Sequence, residues 1–243
     1  MQVHHVPASS ISGHTLFLDG SEAKHILKVR RLGVGDRLTF TDGRGQLYDA
    51  VLDRCTATEL HAQIESVTPD AREADAPWST LALALLKGDH FELAVEKCVE
   101  LGIHRIIPLT AQRCVVKLKP TQVAKRQERW ARIAESAMKQ SGRSWHPEVA
   151  PPCTVDQLVT AAGGATLVVG DEEESSQAIF SLAWRRPAPV IAVVGPEGAF
   201  TPQEKQTLQA AGGHAVRLSS YTLRAETAAV ALVAALHGVE TGS

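Results

Sequence analysis

Metal and disulfide signals are the first things missing. The four cysteines, Cys55, Cys98, Cys114 and Cys153, are scattered with no C-x-x-C spacing, which suggests neither a disulfide framework nor a zinc site. The ten histidines form no H-x-x-x-H or H-E-x-x-H pattern, so no metal is expected. No apolar run approaches the roughly 20 residues that span a bilayer. The start, Met1-Gln2-Val3-His4-His5, lacks the basic-then-apolar plan of a signal peptide, and the expectation is a cytoplasmic protein with no membrane partner. No G-x-G-x-x-G follows an apolar strand pattern, which argues against a Rossmann-type dehydrogenase. Internal repeats and low-complexity tracts are absent too. What is left is a 243-residue chain, 44% hydrophobic and poor in aromatics, with the composition of an α/β protein able to bury a sizeable core.

A net charge of −2 speaks against a nucleic-acid partner, and its distribution speaks for one. Between Lys24 and Arg44, six basic residues (Lys24, Lys28, Arg30, Arg31, Arg37, Arg44) face Asp36 and Asp42, a local +4. Between Arg113 and Arg143, nine basic residues face only Glu128 and Glu135, a local +7. Acids gather elsewhere, as in Asp171-Glu172-Glu173-Glu174. Such segregation permits a basic face on a slightly acidic protein.

Residues 1–70 alternate short strand patterns with turns. Thr15–Leu18, Arg37–Thr41, Gln46–Leu52 and Leu60–Val67 are strand candidates, Asp42-Gly43-Arg44-Gly45 is a hairpin turn, and Ser21–Val29 is a short helix. This predicts a small β-barrel. Pro69, Pro77 and the charged run between them interrupt every period and mark a domain boundary. From 78 to 243 strands and helices alternate, which implies a mainly parallel sheet covered by helices. Asp89 and Glu92 have capping-box spacing ahead of a helix closed by Gly102, Thr121–Ser141 is a long basic helix, and Ser175–Trp184 is a further helix candidate.

Two stretches near the carboxyl end carry the strongest functional signal. The apolar run Val190–Val194 breaks at Gly195-Pro196, so a loop opens at a strand's carboxyl end, where open α/β sheets place ligands. Thr201, Pro202 and Glu204 then supply an N-cap, a first-position proline and a capping box. Ala215–Leu218, a polar loop and a helix from Leu223 to about His237 repeat the plan, and Gly170-Asp171 makes a third loop after Ala165–Val169. Gly195 and Gly198 remove side chains where something approaches the backbone. Arg224 and Glu226 open a helix whose other early residues are small or apolar, and a charged pair there needs a partner, a ligand or solvent.

In combination these residues resemble the RsmE-type 16S ribosomal RNA uridine N3-methyltransferases of the SPOUT class. The resemblance runs through Gly195-Pro196-Glu197-Gly198 with Phe200 and Glu204, and through Leu223-Arg224-Ala225-Glu226-Thr227-Ala228. It also takes in Lys87-Gly88-Asp89 with Glu96-Lys97, Glu100-Leu101-Gly102-Ile103, Ile107-Pro108, and Ala137 to Arg143 with Pro147. In the first domain it rests on His25 to Arg30, Gly35-Asp36 and Asp42-Gly43. It implies an α/β fold, a SPOUT-type parallel sheet with a C-terminal trefoil knot (an exception to the rule against knots), preceded by a PUA-like β-barrel. Ala199 stands where the family has a second glycine, so glycine-only backbone angles are not expected there, and His4 and His5 stand where the family carries an arginine.

The resemblance also assigns roles. Backbone groups of Val169, Gly170 and Asp171, of Val194, Gly195, Pro196, Glu197 and Gly198, and of Leu218, Ser219, Ser220, Thr222 and Leu223 would hold S-adenosyl-L-methionine. Arg224 would stabilise negative charge on the uracil as N3 loses its proton, or anchor its phosphate. Glu226 or Glu197 would orient Arg224 or act as base, or else only complement a helix N-terminus. Lys24, His25, Lys28, Arg30, Arg31 and Arg143 are the implied RNA contacts. The implied partners are 16S ribosomal RNA or the small ribosomal subunit, and a second copy in a homodimer. Two alternatives stay open: methylation of another RNA position or a ribose oxygen, and a non-catalytic RNA-binding assembly factor.

Overall fold

The computed structural model describes residues 3–30, 32–74, 78–173, 177–178 and 189–237. The chain divides into two compact units, Met1–Ala76 with Met138–His146, and Pro77–Ala137 with Pro147–Ser243. The first holds β1 (Val3–His5), β2 (Ile11–Ser12), β3 (Thr15–Asp19), α1 (Gly20–Arg30), β4 (Arg37–Thr41), β5 (Gln46–Cys55), β6 (Glu59–Pro69) and the short α2 (Ala71–Ala74). Its six strands run in the order β1-β4-β5-β6-β3-β2, antiparallel except for β1 beside β4. The result is a PUA-like half-barrel. Period-two patterning explains its core: Leu16 and Leu18 of β3 and Leu60, Ala62 and Ile64 of β6 point inward while the residues between them do not. Ala23 and Ile26, one helical turn apart on α1, close that core around Phe40.

The second unit holds β7 (Ser79–Ala84), α3 (His90–Glu100), β8 (Arg105–Leu109), most of α4 (Pro120–Ser141), β9 (Glu148–Val149), α5 (Val155–Ala161), β10 (Thr166–Gly170), β11 (Gln177–Ala178), β12 (Val190–Val194), α6 (Pro202–Ala210), β13 (His214–Arg217) and α7 (Ala225–His237). Its seven strands are all parallel, in the order β11-β13-β10-β12-β7-β8-β9. Every residue of β7 and β12 is buried, as a central strand covered on both faces requires. The chain steps outward from β7 to β9, then crosses to β10 and fills the gap with β12. The order in which strands are added therefore reverses beside β12, the kind of place where α/β sheets bind ligands.

Four details differ from the sequence reading. The segment Met138–His146 belongs to the first unit, because Asp70 Oδ2 accepts a hydrogen bond from Ser144 Oγ at 2.8 Å and Arg143 pairs with Glu73 at 2.8 Å. Asp89 caps α3 without a side-chain hydrogen bond, and Glu92 turns instead to Arg129, 2.6 Å away. Within the expected helix Ser175–Trp184, Gln177 and Ala178 pair with β13 as a strand, and the rest lies outside the described residues. Ala199 sits at φ 57°, so the left-handed turn forms without glycine. An L-residue can occupy that region at a cost of about 1–2 kcal/mol.

Candidate active site

Parallel register brings three strand ends to one level. Val169 lies opposite Val193 and Gly170 opposite Val216, so the loops after β10, β12 and β13 leave the sheet side by side. With the start of α7 they enclose a cavity of about 440 Å³, within the roughly 300–1,000 Å³ usual for small-molecule sites. Its wall contains Gly170 and Asp171, then Val194, Gly195, Pro196 and Glu197, then Leu218, Ser219, Thr222 and Leu223, with Arg224 and Glu226 beyond them. Three residues grouped with these from sequence fall outside the lining: Val169 is buried in its strand, and Gly198 and Ser220 are exposed.

The glycine loop is shaped by protein neighbours. A Cβ on Gly195 would come within 3.2 Å of the Phe200 ring, and one on Gly198 within 3.3 Å of Arg113 Cβ. Phe200 is buried, and Arg113 Nη1 donates to Gly198 O at 3.1 Å. Ala199 N donates to Pro196 O at 2.8 Å, closing the turn. The capping box then forms as expected: Glu204 N donates to Thr201 Oγ1, Thr201 N donates to Glu204 Oε2, and Gln112 N donates to Glu204 Oε1 at 2.7 Å.

Charge in the wall is mostly paired. Lys205 Nζ lies 2.9 Å from Asp171 Oδ2 and 2.6 Å from Glu173 Oε1. Burial alone would lower the Lys205 pKa, but hydrogen bonds to Glu173 and Asp171 outweigh it and hold the ammonium above its ordinary value. Glu197 Oε1 accepts from Lys87 N at 3.2 Å. Glu226, only 9% exposed, meets His90, with Oε1 and Nδ1 3.0 Å apart. Neither carboxylate is bonded to Arg224. Among the described residues the exposed side chains of Arg224 and Arg217 have no hydrogen-bond or ion-pair partner.

His90, Lys205, Arg217 and Tyr221 line the cavity and were not singled out from sequence. One signal pointed to His90: the loop after β7 also opens at a strand's carboxyl end. Of the expected RNA contacts, Lys24 and His25 are exposed on α1, while Arg31 and the side chains of Lys28 and Arg30 lie outside the described residues. Arg143 is buried, its Nε and Nη2 donating to Glu73 at 2.9 and 2.8 Å. Among the described residues no cluster of His, Cys, Asp or Glu could hold a metal ion, and no helix is long and apolar enough to cross a membrane.

A parallel sheet with three loops gathered at its carboxyl edge, preceded by a PUA-like half-barrel, defines an RNA methyltransferase of the SPOUT class. Residues 74–237 match an RNA methyltransferase domain and residues 18–67 an RNA methyltransferase PUA domain. Ribosomal RNA small subunit methyltransferase E of Mycobacterium tuberculosis is 34% identical over 93% of this chain and 87% of its own length. The Bacillus subtilis protein of the same name is 31% identical over 91% and 89%. The structure of that methyltransferase from Neisseria gonorrhoeae, bound to S-adenosyl methionine, superposes with a TM-score of 0.80 at 29% identity over 98% of each chain. The chain belongs to the ribosomal RNA small subunit methyltransferase E family.

Proposed function

We propose that this protein methylates N3 of a uridine in 16S ribosomal RNA, using S-adenosylmethionine and working as a homodimer in the cytoplasm. The observation that carries the reading is one cavity walled by three strand-end loops, with Arg224 exposed at its edge and, among the described residues, unpaired. The residues suit the cofactor. Val194, Leu218 and Leu223 offer an aliphatic bed for a purine, strand-end backbone groups offer donors and acceptors, and Asp171, Glu172 and Glu226 add carboxylates to the same wall. The threading of the C-terminal segment into a knot belongs to the same proposal.

When bound, S-adenosylmethionine supplies an electrophilic methyl group on a sulfonium. The chain must hold the acceptor nitrogen in line with it, and positioning of that kind lowers the barrier without covalent help. Uracil N3 carries a proton, which must leave before the nitrogen can form the new bond. Arg224 presents a planar fork of donors to the negative charge that develops on the base. Glu226, held by His90 in the first turn of α7, is a candidate to receive the proton. On the first unit, Lys24 and His25, exposed on α1, would meet RNA phosphate.

Mass spectrometry of 16S ribosomal RNA from a deletion strain tests the reaction: one uridine should lose a base methyl group. Arg224→Lys tests the mechanism. Turnover should fall by about 100-fold, the order expected when a donor to developing charge is misplaced, with cofactor binding in calorimetry retained. Near-normal turnover would remove Arg224 from the chemistry.

A further inference from the structure

Among the described residues, the aromatic rings left open to solvent are of two kinds. Phe17 is 43% exposed and Trp78 41%, yet each lies on a histidine, Phe17 on His61 at 4.6 Å and Trp78 on His104 at 4.9 Å between centroids. Tyr221 is 82% exposed, and among the described residues its ring has no ring partner and its hydroxyl no hydrogen bond. The backbone on either side of it is nonetheless held. Tyr221 N donates to Ser219 Oγ at 3.0 Å, and Ala228 N donates to Arg224 O at 2.8 Å, closing the first turn of α7.

Tyr221 lines the cavity in the loop between β13 and α7, and the two arginines that flank it in sequence, Arg217 and Arg224, line the same cavity. Both are exposed without side-chain partners among the described residues. A ring of this kind contributes nothing to a core, and the aliphatic wall already offers a bed for a purine. An open aromatic face in the same wall as two guanidinium groups is what an unstacked nucleotide needs, a ring for the base and cations for phosphate and developing charge.

We propose that Tyr221 stacks on the nucleobase that the RNA presents at the cavity mouth, with Arg217 holding an adjacent phosphate and Arg224 facing the base. The inference rests on the methyltransferase reading above. A base offered for reaction must leave its stack, and contact with Tyr221 offsets part of that cost.

Photocrosslinking of the intact protein to 16S ribosomal RNA containing 5-iodouridine tests the contact directly. The crosslink should fall in the tryptic peptide Leu218–Arg224, on Tyr221. Crosslinks confined to other peptides would overturn the proposal. In steady-state assays Tyr221→Ala should raise KM for RNA by about 5- to 150-fold, the range for one stacked base. Its calorimetric affinity for S-adenosylmethionine and its salt dependence should hold, and Tyr221→Phe should recover the loss. Arg217→Gln should instead flatten the log-log salt slope of RNA binding by about 0.7. Wild-type KM in Tyr221→Ala, an equal loss of cofactor affinity, or dissociation into monomers in sedimentation would each overturn the assignment, the last placing the ring between two copies. A wild-type protein that binds no cofactor and methylates no RNA would sink the functional reading, while the crosslink still reports on Tyr221 by itself.

Discussion

Glu226 Oε1 and His90 Nδ1 lie 3.0 Å apart, which ties the first turn of α7 to the first residue of α3 across the cavity wall. Removing His90 leaves a nearly buried carboxylate without that donor. A hydrogen bond to a charged group contributes about 1.5–3 kcal/mol, so His90→Ala should lower kcat by about 10-fold or more if Glu226 must hold one orientation during transfer. Affinity for S-adenosylmethionine should change far less. His90→Asn, whose amide nitrogen can stand near the place of Nδ1, should recover part of the loss. Parallel kinetics and calorimetry on the two variants check this, and an unchanged kcat in His90→Ala would free Glu226 from the role.

Gly195 leaves little room for a side chain, for a reason internal to the loop. An added Cβ meets the Phe200 ring at 3.2 Å, and Phe200 is too deeply buried to yield easily. Overpacking of this kind typically costs about 1–3 kcal/mol. Gly195→Ala should therefore push Phe200 and the Pro196–Ala199 turn out of place, weakening cofactor binding by about 5-fold or more for each kcal/mol that reaches the cavity. Calorimetric titration of Gly195→Ala checks this. If Gly195→Ala binds poorly and the double variant Gly195→Ala/Phe200→Leu recovers, the internal contact is the cause.

The strand ends that frame the site are legible in sequence because burial on both faces leaves apolar runs such as Val190–Val194, and because the Thr201–Glu204 box is a local signal. His90 is not legible in the same way. Its partner lies on another helix, and only the packing of α3 against α7 brings Glu226 within reach. Gly195 is marked by sequence as special, but Phe200 supplies the reason, and ring placement has no local pattern. The same limit applies to charge: the basic run ending at Arg143 counts nine positive side chains, yet Glu92 takes Arg129 and Glu73 takes Arg143. Periodicity reports which faces are apolar. It does not report which distant acid each cation meets.

Arg143 and Glu73 make a buried pair, each side chain 7% exposed. Breaking such a pair by removing one partner costs about 3–5 kcal/mol, whereas replacing both with apolar groups is often neutral or stabilising. Arg143→Ala should accordingly destabilise the first unit strongly, and Arg143→Met with Glu73→Leu should restore much of the loss. The salt slope of RNA binding by the doubly substituted protein should match the wild type. A slope flattened by about 0.7 would instead mean that Arg143 reaches phosphate.

Asp70 makes the stability of the first unit depend on acid. Its carboxyl is 3% exposed, and burial alone would raise its pKa. Hydrogen bonds from Arg72, at 2.9 and 2.6 Å, and from Ser144, at 2.8 Å, outweigh that and hold it below the usual carboxylate range. A folded pKa below the unfolded value of about 3.9 means that the folded state favours the carboxylate. Its stabilisation is fully present above that value and is lost as pH falls through the depressed folded pKa. The protection factors for hydrogen exchange in β6 and residues 138–146, corrected for the intrinsic pH dependence of amide exchange, should therefore fall below about pH 4. Asp70→Asn, which cannot ionise, should exchange faster at neutral pH and lose that acid dependence. Identical acid profiles for Asp70→Asn and the wild type would place the acid sensitivity on another carboxylate.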